Sequence, residues 1–269
     1  MKIIMAGCGN MGYAMLSAWL DSGKLAPGDC HVVEPSDALR ARASGRGVHA
    51  HAGAGDIPQE FDADLVVLAV KPQVMASVVP EYQRFADGGA TFLSIAAGTK
   101  IAFLEDILGA ETPVIRCMPN TPAAIGRGMM VTVSNARVSS AMAGQVESLL
   151  AANGAVDTVD EEALMDPVTA VSGSGPAYVF HFIECLTAAG EAAGLPARTA
   201  ALLARQTVLG AAELAASSSD TPARLREQVT SPNGTTAAAL AVLMGEKRLE
   251  KLVGEAVEAA RLRSVELGR

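Results

Sequence analysis

The sequence predicts an α/β protein with a doubly wound sheet in its N-terminal part and an all-helical C-terminal part. Between Lys2 and about Asp157, short β-rich runs alternate with helical patterns, which is typical of a sheet covered by helices on both faces. From about Asp160 onward, long segments rich in alanine and leucine replace them. We therefore expect two domains, over residues 1–158 and 159–269.

Composition narrows the class of protein further. The chain has 269 residues, enough for two domains, and 29 acidic against 21 basic residues give a net charge of −8, which argues against a nucleic-acid partner. The longest apolar run, "LVVLAV", is too short to cross a bilayer, and no signal peptide is evident, so we expect a cytoplasmic protein. The four cysteines lack metal-ligand spacing, and no metal site is expected.

Six segments of the N-terminal part are predicted to be strands. They are short and apolar on both faces, as expected of strands that helices cover on each side. In chain order they are "KIIMA", "HVVE", "LVVLAV", "TFLSIA", "VIRCM" and "MMVTV".

A glycine motif, "GCGNMG", follows the first strand directly and precedes a helical segment. Gly7 permits a tight turn, Gly9 lets the backbone approach a pyrophosphate, and Gly12 lets helix and strand pack closely. The free N–H groups at the helix N-terminus favour an anion there. A lone match is weak, but this strand–loop–helix context favours a Rossmann-type dinucleotide site over a structural glycine turn.

The end of the second strand bears on the choice of cofactor. Glu34 lies 22 residues beyond Gly12, where an acidic side chain can bond ribose hydroxyls and repel a 2′-phosphate. Ser36, Arg40 and Arg42 could instead receive that phosphate, and Glu34 could simply cap a turn. The residues at this position therefore favour NADH slightly as the cofactor, and NADPH stays an alternative.

Three further segments place polar groups where ligands gather in such folds. Lys71 and Pro72 follow "LVVLAV" at a carboxyl end of the sheet, although a solvated loop lysine is an equal alternative. Asn120 and Thr121, in "RCMPNTP", sit on a stiff loop that suits a nicotinamide contact or an ordinary turn. "SGSGPAY" suits either a close ligand approach or a helix cap.

The histidines and the C-terminal helices indicate packing rather than chemistry. A strand would place His49 and His51 on one face, and we interpret them as structural or solvent-facing; His181 is interpreted as a packed helical histidine. The helical segments carry little charge and much alanine on their outer faces. Such helices usually have partners on more than one side, which predicts burial against a second subunit.

Five motifs, taken together, resemble those of a known enzyme family. "GCGNMG", "AVKPQ", "RCMPNTP", "SGSGPAY" and "VTSPNGTTAAAL" occur in the order and at the distances of the pyrroline-5-carboxylate reductases, and the match covers the whole chain. The resemblance implies NAD(P)H-dependent reduction of 1-pyrroline-5-carboxylate to L-proline, the last step of proline biosynthesis. It also implies a Rossmann domain and a helical domain that interlocks in a homodimer, which often builds larger rings.

The resemblance also assigns residues. Pyrophosphate contacts fall to Gly7, Gly9, Asn10, Met11 and Gly12. The cofactor cleft is lined by Ala69, Val70, Lys71 and Pro72, with Ala97 near the nicotinamide. The substrate loop comprises Ser231, Gly234, Thr235 and Thr236, and Thr236, the catalytic candidate, is the hydroxyl nearest the imine nitrogen. Glu162 matches a position near the active site. Where relatives that favour NADPH often have serine, asparagine or arginine, this chain has "VVEPS", and Asp56 replaces a frequent asparagine, which again disfavours a phosphate.

A protonated imine is already an electrophile, so a strong protein acid is dispensable and positioning carries the reaction. We expect the substrate carboxylate to bind the N–H groups of Gly234, Thr235 and Thr236.

The alternative functions are those of a related imine reductase, a β-hydroxyacid dehydrogenase and a non-catalytic NAD(P) sensor. The dehydrogenase would need a lysine on the first long helix of the second domain, which "SGSGPAYVFHFIECLTAAGEAAG" lacks, and a ketol-acid reductoisomerase would need metal-binding carboxylates.

Overall fold

The computed structural model describes residues 1–268 and divides the chain into two compact units. The first unit comprises Met1–Ser174 together with the residues from Ala260 on, and the second is Gly175–Ala259. This division lies later in the chain than the domain boundary predicted at 158/159. The predicted domain ranges, 1–158 and 159–269, stay predictions.

The first unit is built on one sheet of eight strands in the order β3-β2-β1-β4-β5-β6-β7-β8. Neighbouring strands are parallel except β6 and β7, which are antiparallel. The strands are β1 Ile3–Ala6, β2 Cys30–Val33, β3 His49–His51, β4 Leu65–Leu68, β5 Thr91–Ser94, β6 Val114–Met118, β7 Gly128–Ser134 and β8 Gly154–Thr158.

All six predicted strands are present, and two further strands were missed. β3 is only three residues long and contains two histidines, and β8 is mostly exposed at the edge of the sheet. Neither carries the continuous apolar run by which buried strands are recognised, because neither is covered on both faces.

Helices cover both faces of this sheet. They are α1 Asn10–Asp21, α2 Asp37–Ser44, α3 Met75–Val78, α4 Gln83–Asp87, α5 Ile101–Leu108, α6 Ser140–Leu150 and α7 Met165–Val168. Side chains of β1 alternate between two apolar clusters, with Ile3 and Met5 in one and Ile4 and Ala6 in the other. A strand buried on both faces in this way confirms the predicted doubly wound α/β architecture.

The second unit is helical, as predicted. Its helices are α8 Gly175–Ala192, α9 Ala197–Ser217, α10 Pro222–Gln228, α11 Thr235–Met244 and the greater part of α12 Arg248–Leu267. Of the described residues 175–259, only Ala200 and Ala204 are buried, while Phe180, Leu202 and Leu252 are 59%, 55% and 64% exposed. So much exposed apolar surface is typical of a subunit interface. No helix within residues 1–268 combines the length and hydrophobicity that spanning a bilayer requires.

Three histidines meet at the β2–β3 edge of the sheet. The His31 ring stacks on those of His49 and His51, its Nδ1 lies 2.8 Å from His51 Nε2, and its ring centroid lies 4.1 Å from that of Phe61. His49 is exposed and His51 half-buried. The two β3 histidines therefore share one face of a strand, and the group is a packing cluster.

This cluster should make the folded state sensitive to acid. Burial, and then the neighbouring His49 and His51, lower the pKa of His31 to about 4. An unfolded histidine titrates near pH ~6.5, so below that pH the unfolded state binds the proton first and the folded state loses stability. We expect the free energy of unfolding to fall by roughly 1–2 kcal/mol between pH 7 and pH 4 on account of His31.

Denaturant titrations across this range should show a shallower pH dependence for His31→Gln, which stays neutral throughout, than for the wild type. The two proteins should differ most at pH 7 and converge as the pH falls. Equal slopes would show that His31 does not contribute to the acid sensitivity.

Candidate functional site

The three motif glycines occupy a tight turn between β1 and α1. Gly7 has a φ of +86°, and a Cβ there would lie 2.8 Å from Val70 Cγ1 and 2.9 Å from the carbonyl oxygen of Ala69. A Cβ on Gly12 would lie 2.9 Å from the Gly7 carbonyl oxygen and 3.2 Å from Ala69 Cβ. Gly9, the N-cap of α1, has no heavy atom within 4 Å of its Cβ direction. The loop therefore packs tightly at Gly7 and Gly12 and is open at Gly9.

The carboxylate of Glu34 is fixed beside this glycine loop. Glu34 follows β2 and is buried, its Oε2 accepts the Cys8 N–H at 2.8 Å, and its Oε1 accepts the Ser36 N–H at 3.0 Å. Each oxygen of a carboxylate accepts more than one hydrogen bond, so capacity remains for ribose hydroxyls. A negative charge therefore stands at the position that distinguishes NAD from NADP in such folds.

The two nearby arginines are engaged within the protein. Arg40 donates to the Glu34 carbonyl at 3.0 Å and pairs with Asp37. Arg42 donates from Nη2 to the carbonyl oxygens of Cys8 at 2.8 Å and Gly9 at 3.2 Å. A 2′-phosphate would therefore compete with existing partners at both guanidinium groups. The contact between Arg42 and the loop was missed, because no sequence pattern relates residues 34 positions apart.

The segment after β4 lies against the glycine loop at the same edge of the sheet. Ala69 donates its N–H to the Ala6 carbonyl at 2.8 Å, which carries the strand pairing one residue beyond β4. Val70 is half-buried, Lys71 is exposed, and Pro72 starts a short 3₁₀ turn. Ala69 and Val70 thus pack against the loop, and the exposed Lys71 follows them directly in the chain.

Four other predicted cofactor residues are more scattered. Asn10 and Met11 open α1, with Asn10 exposed and Met11 half-buried. Ala97 is half-buried in the loop after β5. Asp56 is exposed and accepts the Gly53 N–H at 3.1 Å, so its carboxylate caps its own turn. Its local partner gives Asp56 a structural role independent of any cofactor.

Asn120 connects two segments of the first unit. Its Oδ1 accepts the Met129 N–H at 2.9 Å, and its Nδ2 lies 3.2 Å from the carbonyl oxygen and 3.3 Å from Oγ of Ser172. Ser172, the first residue of "SGSGPAY", lies in a π-helical turn, Thr169–Gly173. Because both ends of the amide are bonded internally, Asn120 positions this loop, and any nicotinamide contact by its side chain would have to share those bonds.

Glu162 is also bonded within the first unit. Its Oε1 accepts the N–H of Ile101, the first residue of α5, at 2.8 Å and the Arg116 Nη1 at 3.0 Å. Arg116 is buried, so the pair neutralises a charge inside the protein. Glu162, which the resemblance places near the active site, therefore connects Arg116 of β6 with the first residue of α5.

The predicted substrate loop belongs to the helical unit. The Gly234 N–H donates to the Ser231 carbonyl at 3.1 Å, Asn233 has a φ of 58°, and α11 begins at Thr235 with Gly234 as its N-cap. The predicted turn before a helix is confirmed. One detail of the expected carboxylate seat needs correction, because the Gly234 N–H is already used to close the turn. The N–H groups of Thr235 and Thr236 lie in the first helical turn, whose donors have no acceptor within the helix.

Residues 1–268 contain no group of three or more His, Cys, Asp or Glu side chains placed to hold a metal ion. Burial raises the pKa of Cys8 to about 11 and those of Cys30 and Cys117 to about 12, so these thiols stay protonated.

A sheet edge that combines an open glycine turn, a helix N-terminus and a fixed carboxylate defines a dinucleotide-binding protein of the Rossmann class, here followed by a helical domain. Residues 162–267 match the family model for pyrroline-5-carboxylate reductase dimerisation, and residues 2–98 match the model for coenzyme F420-dependent NADP oxidoreductases.

Relatives along the whole chain agree. The pyrroline-5-carboxylate reductase of Pseudomonas aeruginosa is 43% identical, with 99% of this chain and 96% of that protein covered. The solved structure of a pyrroline-5-carboxylate reductase from Coxiella burnetii has a TM-score of 0.93 at 34% identity and covers 100% of this chain and 98% of its own. A Plasmodium falciparum pyrroline carboxylate reductase with NADP bound has a TM-score of 0.85 at 29% identity, covering 100% and 98%.

The chain belongs to the pyrroline-5-carboxylate reductase family. It is therefore an enzyme, an oxidoreductase, and the resemblance seen in its sequence motifs is confirmed. The matched dimerisation region and the exposed apolar helices agree that the protein is a homo-oligomer.

Proposed function

We propose which residues of this chain carry out the reaction of the family. That reaction is the reduction of 1-pyrroline-5-carboxylate to L-proline, the last step of proline biosynthesis. The carbon of the C=N bond accepts a hydride from a reduced nicotinamide, and the ring nitrogen, protonated in the iminium form, keeps its proton. The first unit holds the cofactor and the helical unit holds the substrate carboxylate. The observation that carries this assignment is the open turn at Gly9 beside the buried carboxylate of Glu34.

The cofactor is placed through the glycine loop. Its diphosphate would be held at Gly9 and the N-terminus of α1, where Asn10 and Met11 offer backbone N–H groups and the helix dipole favours negative charge. Ala69, Val70, Lys71 and Pro72 line the path towards the nicotinamide, and Ala97 lies near its far end, by resemblance to the family. Lys71, the exposed cation of this segment, faces the anionic cofactor.

We infer a preference for NADH over NADPH. Glu34 places a fixed carboxylate where a 2′-phosphate would have to lie, and Arg40 and Arg42 are bonded to other groups. Two like charges in contact repel, whereas two ribose hydroxyls can donate to the carboxylate. Ser36 supports the arrangement through its N–H to Glu34.

The substrate carboxylate is held at the start of α11. The N–H groups of Thr235 and Thr236 are donors at a helix N-terminus, while Ser231 and Gly234 shape the preceding turn. A Cβ on Gly234 would lie 2.3 Å from Ser231 Oγ and 3.2 Å from the Ser231 carbonyl oxygen, so a larger residue there would force the serine side chain to turn. We assign the Thr236 hydroxyl to the imine nitrogen, which it orients for hydride transfer.

The helical unit also pairs two chains. We infer that the homodimer forms through its exposed apolar side chains, of which Phe180, Leu202 and Leu252 are examples. A larger ring of such dimers stays a prediction from the family resemblance.

A spectrophotometric assay tests the reaction. Purified protein mixed with pyrroline-5-carboxylate and NADH should oxidise the cofactor, and NADPH should be used more slowly. Oxidation of neither cofactor would favour the alternative of a non-catalytic NAD(P) sensor. Turnover confined to other imines or to β-hydroxyacids would favour a related reductase.

Replacement of Thr236 should separate turnover from cofactor binding. We expect Thr236→Ala to lower kcat by about 10- to 100-fold, since an orienting hydroxyl is lost, and to leave the Kd for NADH within about twofold of wild type. Thr236→Ser retains the hydroxyl and is the matched control, which should keep most of the activity. Unchanged imine reduction by Thr236→Ala would remove this side chain from the mechanism.

A further inference from the structure

The Arg42 side chain forms hydrogen bonds to backbone carbonyl oxygens of the glycine loop. Its Nη2 donates to the carbonyl oxygens of Cys8 and Gly9, at 2.8 and 3.2 Å, and its guanidinium carbon lies 4.0 Å from the centroid of the Tyr13 ring. Arg42 comes from α2, whereas Tyr13 belongs to α1, so one side chain connects both helices to the loop between β1 and α1.

These two carbonyls decide where the phosphate-binding donors point. In a trans peptide group the C=O and N–H bonds are directed oppositely. The carbonyl of Cys8 shares its peptide group with the N–H of Gly9, and the carbonyl of Gly9 shares its own with the N–H of Asn10. Holding both oxygens therefore directs the Gly9 and Asn10 N–H groups away from Arg42. The Gly9 carbonyl oxygen also accepts the Tyr13 N–H at 2.9 Å, the first bond of α1.

The peptide group before Cys8 is held as well, from the opposite direction. Glu34 Oε2 accepts the Cys8 N–H at 2.8 Å, so the residue between Gly7 and Gly9 is fixed at its N–H by a carboxylate and at its C=O by a guanidinium. The glycine loop is thus braced by the side chains of Glu34 and Arg42.

We propose that Arg42 is a positioning residue for cofactor binding, which orders the glycine loop so that its N–H groups face the diphosphate before NADH or NADPH arrives. A loop that is already ordered does not lose conformational entropy on binding, so affinity rises without a direct contact between Arg42 and the cofactor. Lysine cannot replace arginine here, because a single ammonium does not reproduce a planar group that stacks on a ring and bridges two oxygens. This inference rests on the proposed cofactor site.

The test measures binding and turnover separately. NADH is titrated against the full-length protein by the fluorescence of the bound nicotinamide, and kcat is measured at saturating NADH and saturating pyrroline-5-carboxylate. For Arg42→Met we expect a Kd for NADH about tenfold or more above wild type, with kcat and the KM for the imine within about twofold. Arg137→Met, which removes an arginine of equal charge paired with Glu111 elsewhere on the first unit, is the matched control and should bind NADH as the wild type does.

Arg42→Lys discriminates positioning from simple charge. It should remain about fivefold or more weaker than wild type, since its charge is kept but its geometry is lost. Full recovery of affinity in Arg42→Lys would overturn the proposal in favour of charge alone, as would wild-type affinity in Arg42→Met. A variant that binds NADH more weakly and also has a lower kcat and a lower melting temperature would overturn it as well, because these changes together indicate a general structural defect. A wild-type protein that binds neither NADH nor NADPH would refute the proposed function itself.

Discussion

Gly9→Val should abolish detectable NADH binding and leave the fold intact, whereas Gly12→Val should destabilise the fold itself. Gly9 has φ −64° and ψ −162°, which any residue adopts, and its Cβ direction is free of protein atoms within 4 Å. A valine side chain there would fill the open space that we assign to the diphosphate. We expect the Kd for NADH to rise by about 100-fold or more, since the loss combines a steric clash with displaced N–H donors.

Gly12→Val provides the contrast, because a Cβ at Gly12 meets the Gly7 carbonyl oxygen at 2.9 Å and Ala69 at 3.2 Å. Separating α1 from the sheet should lower the free energy of unfolding by about 2–4 kcal/mol. Thermal unfolding and NADH titration of both variants test the pair. Normal NADH binding by Gly9→Val, or a melting temperature as low as that of Gly12→Val, would contradict the assignment of the open turn to the cofactor.

The positions of these glycines were predictable because the motif spacing reflects a strand–turn–helix unit, which needs a positive φ at Gly7, close packing at Gly12 and open space at Gly9. A turn between a strand and a helix imposes its demands within a few residues, and the same is true of the Ser231–Thr236 turn. The doubly wound sheet was predictable for a related reason, since strands buried on both faces must be continuously apolar. β3 and β8 escaped detection because strands at an edge do not meet that condition.

The partners of charged and amide side chains could not be predicted. Glu34 and Asn120 were recognised as polar groups near a ligand edge, but their bonds to Cys8 and to Met129 and Ser172 depend on tertiary packing. Glu162 gave no local signal that it would pair with Arg116, 46 residues earlier. The sequence therefore predicted which loops form the candidate site, and the structure was needed to show which side chains brace them.

Replacing Glu34 with serine should change the cofactor preference of the enzyme. In the wild type we expect NADH to be used in preference to NADPH, because the Glu34 carboxylate repels a 2′-phosphate at short range. Serine removes that charge and adds a hydroxyl donor. The ratio of kcat/KM for NADPH to that for NADH should rise by about 100-fold, the size expected when a repulsion of roughly 2–3 kcal/mol is removed.

Glu34→Gln is the matched control, because glutamine keeps the shape of the side chain and one acceptor oxygen for the Cys8 N–H, while the bond from the Ser36 N–H is lost. Charge removal alone should then raise the same ratio by about tenfold, with the loop still held. Initial rates over a range of each cofactor, at saturating imine, give kcat/KM for NADH and for NADPH with each of the three proteins. A wild type that already prefers NADPH, or ratios unchanged in both variants, would show that the 2′-position of the cofactor does not lie against Glu34.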